Sequence, residues 1–363
     1  MLQQTSTVSS AEAAAKRTLA RAAGAGAGYE TLVATRPAGV RWLLCGRGRP
    51  VSTSSSNADY TVVLTGNADL VLFPDIEESR VTAEERFEEL GYEPVPFPWH
   101  EGPQGMLAEL VGGRAMLTGD SLEEIVSPLR LELGAEERDR YRAAGKDVAD
   151  AMVEALRALD PGATEVAVAA DLAARVRRRG FFPPVVLVAG EQRQPVHRHP
   201  LPTDAPIGAH ALLAVTAERH GLHVSMTRLA SFGPPSQDLQ DLVRKASFVD
   251  AAALDASRPG ETLGHVFSRI EEAYVAHGFP GEWRRHHQGG LTGYAGREVF
   301  AVPDDPTVIP ASAAVAWNPS ITGGAKSEDT ALVTPDGVEV ITRTPELPEF
   351  DFGVVPRPAV VEL

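Results

Sequence analysis

The sequence has one cysteine, Cys45, among 363 residues, which excludes an internal disulfide framework and any cysteine-built zinc or iron–sulfur site. That scarcity fits a reducing compartment, and a cytoplasmic location is expected. Positive charge is also short: 34 Lys and Arg stand against 49 Asp and Glu, a net charge of -15. Nucleic acid and anionic membrane surfaces are therefore poor partners. No apolar run approaches the ~18 residues needed to span a bilayer. The N-terminus "MLQQTSTVSSAEAAAKRTLARAAGAGAGYE" lacks the charged-then-apolar order of a secretion signal.

What is present divides in two, as the length favours. Residues 1–28 read as an N-terminal extension, with a helix over Ser10–Ala23 ended by "GAGAG". From Tyr29, the runs "TLVAT", "RWLLCG", "YTVVLTG", "DLVLFP" and "RAMLTG" are short, Val- and Leu-rich and closed by Gly, Pro or Asn, and so read as strands. "VTAEERFEELG" and "GMLAELVGG" have helical spacing with a glycine stop. This is a small α/β domain over residues 29–125, its boundary in the charged stretch near Leu122–Gly134. Residues 126–363 form the second domain. It opens on a long helix, Ala135–Leu159, with Val148, Met152, Leu156 and Leu159 recurring at helical spacing. A second helix starts at Thr164, a good N-cap, and strands follow at "VVLVAG", "ALLAVTAE" and "HVSMTRLASFG". Helices over Ser236–Ala256 and Glu261–His277 precede a strand-rich close, in which "PDG" turns a hairpin.

Two stretches are too polar and Gly-rich for core: "EWRRHHQGGLTGYAGRE" (Glu282–Glu298) and "AWNPSITGGAKSEDTALVTPDG" (Ala316–Gly337). They read as halves of one site. Glu328 is a carboxylate inside an apolar strand and needs a partner there. Arg297 and Glu298 pair with each other in one reading and meet substrate in the other. Arg41, Arg47 and Arg49 read as solvated loop cations.

The order of "VAGEQRQPVHRHP", "GLHVSMTR", "HHQGGLTGYAGRE", "AWNPSI" and "SEDTALVTPDG" resembles the creatinase, aminopeptidase P and methionine aminopeptidase superfamily. The resemblance covers roughly Ala135–Arg343 and implies an α+β pita-bread catalytic domain behind a creatinase-type α/β domain, assembled as a homodimer. Metallopeptidases of this superfamily hold two divalent ions with two Asp, one His and two Glu, the hard donors that a water-activating dinuclear site needs. Those places fall here on Ala214, Ser225, His287, Asn318 and Glu328. Only His287 and Glu328 keep a ligand, so no metal and no other cofactor is expected. The resemblance implies instead a creatinase-like hydrolase of a C–N bond in a small polar molecule. His197, seventeen positions before Ala214 (214 minus 197), matches a substrate-side histidine, a residue whose near-neutral pKa suits proton transfer. His197, His287 and Glu328 are thus the catalytic candidates. His286, Tyr294, Arg297, Glu298, Ser225, Asn318 and Arg228 are candidates for substrate binding, with Arg228 read first as a brace of the site and His286 first as a packing or orienting neighbour. An Xaa-Pro-type metallopeptidase with an altered site, a non-catalytic binder and a non-hydrolytic biosynthetic enzyme are the other readings.

Overall fold

Most of the short Val- and Leu-rich runs become strands of one sheet. The computed structural model describes residues 8–363 apart from Ser54 and Val354. It separates into one unit up to Glu136 with His220–Leu222 and another of Glu137–Arg219 with His223–Leu363. In the first unit, β1 (Thr31–Ala34), β2 (Thr61–Leu64), β3 (Asp69–Pro74), β4 (Glu93–Phe97) and β5 (Met116–Thr118) lie in the order β4-β3-β2-β1-β5. The β1-β2 and β2-β3 pairs are antiparallel, and the outer pairs β3-β4 and β1-β5 are parallel. Helices α1 (Ser10–Gly26), α2 (Pro37–Leu43), α3 (Gln104–Val111) and α4 (Gly119–Val126) accompany the sheet.

One expected strand is a helix. "RWLLCG" falls in and just after α2, where Pro37 in the first turn presets the helical φ. Val40, Trp42 and Leu43 are buried from there. Conversely β4, "EPVPF", carries two prolines and does not read as a strand. Its pairing with β3 along one side only leaves it at the sheet edge, where proline is tolerated. The segment "VTAEERFEELG" forms only irregular helical turns.

The second unit follows α5 (Ala135–Arg157), whose Val148, Met152 and Leu156 are buried, and α6 (Glu165–Arg178), capped by Thr164 Oγ1 accepting from Ala167 N at 3.2 Å. β6 (Phe182–Gly190), β7 (His210–Arg219) and β8 (Leu222–Ser231) form a sheet completed by the C-terminal β18 (Val361–Glu362), in the order β18-β8-β7-β6. After α7 (Gln237–Ala256) and α8 (Leu263–Ala276) comes a second sheet. It contains β9 (Gly289–Thr292), β10 (Val299–Phe300), β11 (Ala314–Trp317), β14 (Asp329–Thr334) and β15 (Gly337–Val340), in the order β10-β9-β11-β14-β15. Two small ribbons pair β12 (Ser320–Ile321) with β13 (Ala325–Lys326) and β16 (Glu349–Phe350) with β17 (Arg357–Pro358).

The double glycine of "HHQGG" has a packing reason. Gly289 and Gly290 have φ of 102° and 147°, and a Cβ on them would stand 2.1 Å from Ala316 O and from Val299 O respectively. Only glycine lets β9 run this close to both neighbours, and that strand sets where His286 and His287 emerge. No helix of the described residues is long and apolar enough to cross a membrane.

Candidate active site

Strand alternation builds the first half of the site. Successive side chains of β8 point to opposite faces, so Ser225 and Thr227 share one face and Arg228 takes the other. Glu328 stands across from Thr227, whose N–H donates to Glu328 O at 3.0 Å. On the shared face Thr227 Oγ1 donates to Glu328 Oε2 at 2.8 Å, with Lys326 Nζ 3.0 Å from the same oxygen and Arg297 Nη2 3.1 Å from Oε1. The side chains of Arg297, Lys326 and Glu328 are only 8%, 5% and 7% exposed. Burial alone would raise the Glu328 pKa, but Lys326, Arg297 and the Thr227 hydroxyl outweigh it and bring it to about 2. The result is an ionised carboxylate clamped by two cations.

Around this clamp, Arg297 Nη1 donates to Gly296 O at 2.7 Å and reaches Ser225 Oγ at 3.4 Å, while its buried Nε has no hydrogen-bond partner among the described residues. Ser225 Oγ lies 2.9 Å from Thr216 Oγ1. Asn318 is 3% exposed and its Oδ1 has no partner among the described residues. On the other face Arg228 donates to Asp329 Oδ1 at 2.9 Å and to the carbonyls of Thr227 and Thr342, a bracing role fixed by five hydrogen bonds.

The second half of the site is imidazole. His286 Nε2 lies 2.9 Å from His199 Nε2, and its Nδ1 is 3.1 Å from Ser320 Oγ, which accepts from Arg198 Nη1 at 2.6 Å. The His286 and His287 rings are 4.5 Å apart, and those of His199 and His287 are 5.7 Å apart and stacked. His286 is buried, whereas His199 and His287 are exposed. Desolvation and then Lys326 hold His286 down to about 2, and desolvation and then Arg297 hold His287 down to about 4. The His199 pKa is lowered by desolvation and by Lys326. All three rings are therefore neutral near pH 7.

Buried carboxylates hold the loop that supplies His199. Glu165 accepts from Gly190 N at 2.9 Å, Thr203 N at 3.0 Å and Thr203 Oγ1 at 2.8 Å, and pairs with Arg193. Glu282 pairs with Arg198 and accepts from Thr322 N and Oγ1, each at 2.6 Å.

Of the residues singled out in the sequence, His286, His287, Arg297, Ser225 and Glu328 come together. His197 does not join the imidazole cluster. It lines a neighbouring cleft of about 190 Å³ with Arg198, Arg285, Ser320, Thr322 and Lys326, and the loop delivers His199 instead. Tyr294 is buried and donates from its hydroxyl to Glu137 Oε1 at 2.7 Å, so its phenol is committed to α5. Glu298 accepts from Ala295 N at 3.0 Å while Arg297 turns to Glu328, so of the two readings of this pair the mutual clasp is not the one found. Two members went unread in the sequence, His199 and Lys326. Lys326 stands two residues before Glu328, at the end of β13, and only its contact with Glu328 Oε2 shows that it belongs to the site.

The donor set does not fit the dinuclear centre that the superfamily resemblance implies. Ala214 has no donor and Ser225 is hydrogen-bonded to Thr216. Asn318 offers a neutral oxygen, and both oxygens of Glu328 are already taken by cations. Two divalent ions need the negative charge that this arrangement has cancelled.

The sequence model of metallopeptidase family M24 matches residues 139–335. The chain is 24% identical over 365 residues to the probable dipeptidase PepE of Mycobacterium tuberculosis (strain ATCC 25618 / H37Rv), covering 92% of this chain and 96% of that one. Among solved structures, dipeptidase PepE from Mycobacterium ulcerans superposes with a TM-score of 0.76 at 21% identity, over 98% of this chain and 100% of that one. The Xaa-Pro dipeptidase from Bacillus anthracis gives 0.74 at 18% identity, over 92% and 98%. The pita-bread fold expected from the sequence is the fold that these structures share.

Proposed function

That this chain belongs to metallopeptidase family M24 is the premise from which we propose its activity: hydrolysis of the amide C–N bond of a short peptide, at a site that works without the family's dinuclear centre. The observation that carries this reading is the clamped carboxylate, with both Glu328 oxygens held by Lys326 and Arg297 beside three imidazoles. Of the small polar molecules with a C–N bond expected from the sequence, the names of the similar proteins favour a short peptide.

In this reading the water oxygen bonds to the carbonyl carbon and its proton passes to an exposed imidazole, that of His199 or His287. Negative charge then develops on the former carbonyl oxygen. Lys326 and Arg297, fixed by Glu328 before the substrate arrives, supply the field that stabilises it. As the C–N bond breaks, the imidazole returns its proton to the leaving nitrogen. Glu328 keeps the two cations oriented and does not itself exchange a proton.

The test is a panel of dipeptides, with Xaa-Pro members and with creatine as the competing substrate, offered to protein dialysed exhaustively against EDTA. Release of free amino acids from at least one dipeptide is expected. Cleavage of creatine alone, or of no dipeptide at all, contradicts the proposal.

A further inference from the structure

We propose that His199, His286 and His287 form a site for a single borderline transition-metal ion, Zn²⁺ or its spectroscopic surrogate Co²⁺. Each of the three offers a ring nitrogen, and these nitrogens all lie within 4.8 Å of one another. The nearest pair, His286 Nε2 and His199 Nε2, is 2.9 Å apart. Two imidazole nitrogens each ~2.1 Å from one ion stand about 3.0–3.4 Å apart, so small ring adjustments bring this pair onto a common ion.

Support behind the ligands is in place. A metal-bound histidine usually has its second nitrogen tied to a polar neighbour, which fixes the ring. Here Ser320 Oγ stands 3.1 Å from His286 Nδ1 and is itself held by Arg198, leaving Nε2 to face the cluster.

The donor set also selects the ion. Three imidazoles with no carboxylate or carbonyl suit Zn²⁺, Co²⁺, Ni²⁺ and Cu²⁺ and reject Mg²⁺, Ca²⁺ and Mn²⁺, which need oxygen ligands. Three protein ligands leave a fourth position open, and the exposure of His199 and His287 lets solvent reach it. Lys326 and Arg297 lie nearby with Glu328 between them, so the ion meets a net single positive charge. That charge lowers affinity, and reversible binding is expected instead of retention through purification.

Only His287 is shared with the superfamily's ligand positions. An ion on these nitrogens takes up the lone pairs that accept a proton in the hydrolytic reading, so the two uses exclude one another. The inference goes beyond that reading, and its test needs no turnover.

Full-length protein freed of metal by EDTA and exchanged into plain buffer is titrated with CoCl₂ while visible absorption is recorded. The expected result is a d–d band that saturates at about one Co²⁺ per chain and is bleached by Zn²⁺, the arrangement being a three-histidine site with one open position. His199→Ala and His287→Ala should abolish the band, and since both rings are exposed the fold should survive, as circular dichroism would verify. Ser320→Ala, which removes only the group that orients His286, should weaken binding about tenfold. His197→Ala should bind like the parent. The absence of a band at stoichiometric Co²⁺, or a band unchanged in the His199→Ala/His287→Ala double variant, overturns the proposal.

Discussion

Glu328 and Asp329 are neighbours in sequence, both buried and both paired with arginine, yet they belong to different worlds. Glu328 turns to the face that holds Arg297, Lys326 and the histidines. Asp329 turns to the opposite face, where Arg228 Nη2 lies 2.9 Å from its Oδ1 and Arg357 Nη2 2.6 Å from its Oδ2. Arg357 also pairs with Asp250 at 2.5 Å, and Thr342 Oγ1 donates to Asp329. Asp250, Asp329, Arg228 and Arg357 have side chains at most 2% exposed. Asp250 has its pKa raised to about 6, chiefly by desolvation, against the pull of Arg357. The same ion-pair chemistry thus does two jobs. A network closed on itself locks β8, β14, α7 and the C-terminal ribbon together, while a network that opens onto exposed imidazoles is available for a reaction.

The largest expected effect breaks the closed network. Asp329→Ala takes the carboxylate from buried Arg228 and leaves Arg357 with Asp250 alone, which should cost about 3–5 kcal/mol in denaturant unfolding. If Asp329→Ala unfolds no more easily than the parent, the network is not structural and the comparison fails.

Next comes the open network. Glu328→Gln leaves Lys326 and Arg297 without their orienting charge, and turnover on the best dipeptide should fall about a hundredfold. Destabilisation should stay smaller than for Asp329→Ala, because glutamine keeps the shape of the side chain and a carbonyl oxygen that still accepts hydrogen bonds. A variant that loses stability as Asp329→Ala does while each folded molecule turns over normally would make Glu328 a second structural carboxylate.

A third change tests the loop that carries His199. Burial would raise the Glu165 pKa, but the Gly190 and Thr203 donors and Arg193 prevail and lower it. A depressed carboxylate pKa contributes stability above the unfolded value and loses it as pH falls through the folded one. Glu165→Gln should therefore cost about 1.5–3 kcal/mol at pH 7, and the gap to the parent should close as pH drops below the ordinary glutamate value of about 4.3. Urea unfolding at neutral and acid pH checks this, and a pH-independent gap would contradict it.

The smallest effect belongs to His197→Ala. Because the loop brings His199 to the cluster and leaves His197 in the adjoining cleft, turnover should change by less than about threefold, far short of the hundredfold or more that a positioned acid–base group supplies. A collapse of turnover would restore His197 to the chemistry.

These contrasts also mark what could be read from the sequence. "GLHVSMTR" and "SEDTALVTPDG" announced the fold because their roles are local: alternation on β8 and from the bridge residue Glu328 into β14 assigns Thr227 and Glu328 to one face and Arg228 and Asp329 to the other. The family-aligned ligand positions likewise pointed to Ser225, His287 and Glu328. The partners were less visible. His199 reaches His286 across 87 residues, and in "VHRHP" the choice between two histidines is made by where Glu165 and Glu282 pin the loop, which no local pattern encodes. The partner of Tyr294 is hidden for a related reason, since Glu137 sits 157 residues away on α5. "RWLLCG" read as a strand because its apolar run is too short for periodicity to distinguish strand from helix, and Pro37 decided the matter.

The central claim is that Arg297 and Lys326 occupy, in charge, the place of the family's two metal ions around Glu328. Manganese is the most direct probe, because it favours the carboxylate donors of a dinuclear site and not the three imidazoles. Metal-free protein titrated with Mn²⁺ under electron paramagnetic resonance should show the free-ion signal rising linearly from the first equivalent. Suppression of that signal until two Mn²⁺ per chain have been added, with dipeptide turnover appearing in step, would contradict the account.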